Sequence, residues 1–102
     1  MDREKVLQSV KKAVHQVDDK AEIILFGSRA RGDFNKESDW DFLILTQFKD
    51  EMDTWEKMRE NLFQTELETK EIFNTIVHNK DYWNKLTITN FYKEVQKEGK
   101  II

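Results

Sequence analysis

Two short greasy runs, AEIILF at residues 21–26 and WDFLIL at 40–45, flank a polar loop that opens with GSRARG and closes with SDWD. Each run has strand length and is too short for a core helix. Gly27 cuts the first run off. The second is apolar on both faces beyond Asp41, which suits the middle of a sheet. The chain therefore has to fold around two paired strands whose connection carries most of its unusual residues. That loop, SRARGDFNKES, can hold one helical turn over residues 28–31.

Helical periodicity surrounds this pair. Asp2 can cap a first helix running to about Val17, with Val6, Leu7, Val10, Ala13, Val14 and Val17 on one stripe. Asp18, Asp19 and Lys20 end the pattern. A second helix is expected over 50–67, with Trp55, Met58, Leu62 and Leu67 inward and the acidic DEMD at its start. EIFNTIV at 71–77 reads as a third strand. A short helix around 80–85 and another over 90–98, stopped by Gly99, complete the chain. The expected class is α/β (α+β), a small mixed sheet flanked by helices, in one domain over residues 1–102.

Composition narrows the possible chemistry. With no cysteine in 102 residues, disulfides, thiolate zinc sites and cysteine nucleophiles are excluded together. A net charge of −3 argues against binding nucleic acid through bulk charge. No stretch reaches the roughly 20 apolar residues of a membrane span, and the amphipathic start lacks a signal-peptide core. A cytoplasmic protein is expected, with no membrane partner and with nucleic acid not expected as a direct substrate. Proline is absent, so turns rest on Gly, Asn, Asp and Ser.

The loop residues suggest phosphate chemistry. In a strand, residues i and i+2 share one face at about 6.5–7 Å between Cα atoms. Asp39 and Asp41 thus point one way, Trp40 and Phe42 the other. Paired carboxylates repel unless a cation joins them, and Mg²⁺ favours few carboxylates plus substrate phosphates. Two such ions about 3.5–4 Å apart could clamp the attacking and leaving oxygens of a nucleotidyl transfer. Gly27 lets backbone N–H groups approach a phosphate, Ser28 adds a hydroxyl, and Arg29 and Arg31 bring guanidinium forks. Singly, a D-x-D is an ordinary strand end and a G-S an ordinary turn; their ordered combination is what carries weight. The GK[ST] ending of a P-loop is missing. His15 and His78 lack a second ligand at metal spacing and read as ordinary surface or packed edge. Trp55 and Trp83 read as core or partner-facing anchors, while Phe91 and Tyr92 divide between core and an exposed contact.

At GSRARG (27–32) and SDWDFLIL (38–45) the sequence resembles the minimal nucleotidyltransferases of the DNA polymerase beta superfamily. The likeness extends to a C-terminal helix ending in Lys97, Glu98 and Gly99. It implies transfer of a nucleoside monophosphate from an NTP, ATP by preference, with two Mg²⁺ ions. Gly27 and Ser28 are implied to contact the triphosphate, with Asp39 and Asp41 as catalytic metal ligands. Arg31 would steady the loop or the phosphates, and Ser38 would cap or hydrogen-bond within the loop. Many small members are encoded beside a HEPN-type RNase toxin, which implies an antitoxin acting on that protein partner. The family usually places a third carboxylate on the next strand; here Asn74 stands at that position, and an amide is a weak metal ligand and no general base. Glu71 would replace it only if the register slipped by three, and an odd shift turns it to the opposite face. The resemblance therefore leaves open an active transferase or a nucleotide-binding antitoxin that acts by docking.

Overall fold

The computed structural model describes residues 2–102. In chain order the elements are α1 (Arg3–His15), β1 (Glu22–Phe26), α2 (Ser28–Arg31), β2 (Trp40–Thr46), α3 (Glu51–Thr69), β3 (Phe73–Asn79), α4 (Lys80–Trp83), α5 (Asn90–Glu98) and β4 (Lys100–Ile101). Among the described residues four strands make one sheet in the order β3-β2-β1-β4. β1 pairs antiparallel with β2 and with β4, whereas β2 pairs parallel with β3. The parallel step needs a long crossover, and α3 supplies it. The mixed sheet between helices is the expected class.

Each side of the sheet has its own core. On one face, Val6, Val10 and Val14 of α1 and Met58 and Leu62 of α3 pack on Ile23, Leu25, Phe42 and Ile44. On the other, Trp83 and Val95 cover Ile24, Leu43 and Leu45, with Phe26 and Phe91 at the margin. β2 is buried on both sides, as its continuous apolar run requires. Trp40, 2% exposed, lies on the first face with Phe42, opposite the aspartates.

Several expectations are corrected. α1 stops at His15 because the chain folds under, and Asp18 accepts hydrogen bonds from Thr46 Oγ1 (2.6 Å), Gln47 N (2.9 Å) and Gln47 Nε2 (2.7 Å). Asp18 is thus a buried staple between the α1–β1 turn and the end of β2. On α3, Met58 and Leu62 point inward, but Leu67 is 58% and Trp55 39% exposed. Thr54, Thr65 and Thr69 take the remaining inward positions, a phase that apolarity alone misses. β3 lies two residues later than expected, and its last residue, Asn79, caps α4 by accepting from the Asp81 and Tyr82 N–H groups. Phe91 and Tyr92 do not divide between core and exposed surface; both are half-buried against Trp83. Trp83 itself is core, 3% exposed. β4 had no counterpart in the sequence reading.

Side chains of α3 cover the outer edge of β3. Glu66 accepts from the Phe73 N–H (3.0 Å), the Trp55 indole donates to the Thr75 carbonyl (3.1 Å), and Glu51 accepts from the Asn79 N–H (2.8 Å). Glu51 also meets His78 Nδ1 at 3.1 Å, and His15 Nε2 meets the Ala21 carbonyl, so both histidines have local structural partners.

Candidate functional site

The site begins where β1 stops. Gly27 has φ +73° and ψ −159°, a conformation reserved in practice for glycine. A Cβ there would stand 2.1 Å from Asp41 Oδ2, so the Asp41 carboxylate rests on the bare backbone. Ala30 N and Arg31 N bond back to the Gly27 carbonyl, and Gly32 N bonds to that of Ser28. These bonds close the expected helical turn, and Gly32 at φ +95° ends it. The Gly27 N–H donates to Glu98 Oε1 at 3.2 Å.

Asp39 and Asp41 stand at the entrance of β2, both half-buried. In the parallel ladder Asp41 pairs with Asn74, which places the amide on the carboxylates' face. Asn74 Nδ2 donates to Asp39 Oδ2 (3.3 Å) and to Asp41 Oδ1 (3.0 Å). A neutral donor thus bridges two anions that would otherwise repel. The pair is convergent, as its strand spacing requires. Glu71 is not its third member: it precedes β3 and lies 3.8 Å from Arg29. Among the described residues no three His, Asp or Glu side chains form a metal-holding group. Two hard carboxylates on one face, with an amide between them, still suit a Mg²⁺ ion that completes its shell with phosphate and water.

The remaining expected residues separate. Arg29 was expected beside the phosphates, yet it is only 7% exposed and its guanidinium turns inward. Its Nη2 donates to the Ser38 carbonyl at 2.9 Å, and its plane lies 4.5 Å from the ring centres of both Trp40 and Phe34. A planar cation between two aromatics is a bolt for the loop. Ser38 Oγ accepts from the Asn35 N–H at 3.0 Å, the loop role the resemblance implied. Arg31 remains at the surface, donating from Nε to Asp33 (3.2 Å) and from Nη1 to both oxygens of Glu98 (3.2 and 3.3 Å). The bond to Asp33, then that to Glu98, raises its already high pKa. Ser28 is half-buried beside Gly27. Glu98 is the residue the sequence did not mark as part of the site. It is 71 positions from Gly27, and no local pattern links the two.

Two carboxylates, Asp41 and Glu98, thus border one glycine turn, with Asp39 joined to Asp41 through the Asn74 amide and Arg31 as the exposed cation beside Glu98. Such a surface favours a polyphosphate that arrives with a divalent cation over a bare polyanion.

The chain is similar to known proteins in sequence and fold. A family model described as a nucleotidyltransferase domain matches residues 4–102. A protein of Methanocaldococcus jannaschii, whose name gives it as an inferred protein adenylyltransferase, is 35% identical over 82 residues, covering 78% of this chain and 75% of that one. The fold superposes with a TM-score of 0.64 on a crystal structure described as a toxin-antitoxin with AMP-PNP, at 18% identity over 92% of this chain and 69% of the other. No helix among the described residues is long and apolar enough to cross a membrane.

Proposed function

Because this chain belongs to the nucleotidyltransferase domain family, we propose that it transfers AMP from ATP to a hydroxyl of a partner protein, using Mg²⁺ held by Asp39 and Asp41. One observation carries the reading: the two carboxylates converge on the Asn74 amide immediately beside the glycine turn that leaves β1. Gly27 and Ser28 would receive the polyphosphate, Arg31 would steady it, and Arg29 and Ser38 would hold the loop that positions Asp39. Bound Mg²⁺, as two ions in the expected arrangement, would neutralise the phosphates and stabilise charge on the departing pyrophosphate. A protein acceptor is supported by the name of the M. jannaschii relative, and an antitoxin setting by the fold neighbour. The partner we favour is a HEPN-type neighbour, and the setting the cytoplasm.

A second reading has its own observation. Asn74 stands where a third carboxylate would stand, and among the described residues no third acidic side chain completes a metal-holding group with the pair, which favours an antitoxin that binds nucleotide and acts by docking. One experiment separates the two: α-labelled ATP, Mg²⁺ and the co-purified partner are incubated with the protein. Transfer predicts label on the partner that disappears with Asp39→Asn. A stable complex that never acquires label, equally strong with Asp39→Asn, decides for docking.

A further inference from the structure

The glycine turn already holds an anion, and it comes from the chain itself. Glu98, at the end of α5, accepts from the Gly27 N–H with Oε1 at 3.2 Å and from Arg31 Nη1 with both oxygens. Its side chain is only 14% exposed. A backbone N–H beside a bare glycine and a surface guanidinium are the donors a phosphate group would use. We propose that Glu98 is a specificity-determining residue: an internal carboxylate that occupies these donors and yields them only to a polyphosphate bringing its own divalent cation. This rests on the reading of the Gly27 turn as the polyphosphate seat.

The surroundings favour exchange over a permanent strut. Asp41 borders the same glycine, so Glu98 adds a negative charge next to an acidic pair, with Arg31 as its guanidinium partner and that partner shared with Asp33. A carboxylate held this way is outcompeted by an anion that delivers cations to Asp39 and Asp41. The backbone, in contrast, is fixed. Gly99 follows directly, and a Cβ there would meet the Val95 carbonyl oxygen at 2.5 Å and Ile24 Cγ2 at 2.7 Å. Lys100 and Ile101 are then paired to Leu25 and Ile24. Release of the seat is therefore a side-chain rotation of Glu98, with α5 staying in place.

The test compares wild type with Glu98→Gln and Glu98→Ala by calorimetric titration with Mg²⁺–tripolyphosphate and with Mg²⁺–ATP. Thermal melts of the ligand-free proteins monitor folding. Both variants should melt lower without ligand, yet bind both ligands at least about tenfold more tightly, which is about 1.4 kcal/mol. Removing Mg²⁺ should cost the variants less affinity than it costs wild type. Unchanged or weakened binding by folded variants overturns the proposal and makes Glu98 a structural strut. Absence of binding by both folded wild type and folded variants removes the polyphosphate seat itself, and the proposal falls with it.

Discussion

Replacing Gly27 by alanine probes the link between the turn and the carboxylates most directly. Two penalties combine. A non-glycine residue at φ +73° and ψ −159° is strained by about 1–3 kcal/mol. The new Cβ would also stand 2.1 Å from Asp41 Oδ2, 3.0 Å from its Cγ and 3.3 Å from its Cβ. Moving the carboxylate aside strains or breaks the bond that its Oδ1 accepts from the Asn74 amide, a charge-assisted bond of about 1.5–3 kcal/mol. Gly32→Ala is the internal control: its φ is +95°, but among the described residues nothing lies within 4 Å of an added Cβ, so it carries backbone strain alone. For a domain of this size about 1 kcal/mol moves the melting midpoint by roughly 4–8 °C. Gly27→Ala should therefore lower the midpoint by at least about 10 °C, and Gly32→Ala by about half as much or less. Differential scanning fluorimetry of the two variants, with and without Mg²⁺–ATP, reads both effects. Equal losses for the two glycines, or a Gly27→Ala protein that retains the full ligand-induced rise in melting temperature, would refute the reasoning.

Two further outcomes follow from other contacts. Burial pushes the Asp18 carboxyl up, but bonds from Thr46, Gln47 and Lys20 outweigh it and hold its pKa below the ordinary value. Its stabilisation is therefore present above the unfolded-state pKa of about 3.9 and disappears as acid protonates the folded carboxylate; urea melts of Asp18→Asn should show lower stability at neutral pH and a shallower fall on acidification than wild type. Asn74→Asp would set three carboxylates together, so the metal-free protein should melt lower while its Mn²⁺ affinity, followed by electron paramagnetic resonance, rises by about tenfold or more; an unchanged affinity would show that residue 74 does not face the cation.

Much of this molecule is legible in its sequence where local chemistry is unambiguous. The β1–β2 pair is bracketed by glycine and aspartate, and α1 repeats valine at helical spacing, so both could be read directly. α3 misled because its inward face is completed by Thr54, Thr65 and Thr69, whose burial has no apolar signature, while Leu67 points outward. The same limit applies at the site. Asp39, Asp41 and Asn74 were legible because strand alternation and register fix their common face. Arg29 was misassigned because sequence proximity to a glycine turn says nothing of the aromatic slot formed by Phe34 and Trp40. Glu98 and β4 come from the far end of the chain, and only the assembled sheet brings them to Gly27 and β1.

The covered rim of β3 has a consequence for how this protein can meet others. An exposed border strand invites a neighbouring polypeptide to add itself to the sheet, the first step toward fibrous self-association. Here three of the rim's main-chain groups are occupied by Glu66, Trp55 and Glu51, so a visiting strand would have to evict three side chains before it could zip on. Encounters along that flank are thereby steered from main-chain pairing toward recognition by side chains, which discriminates among partners by shape and charge.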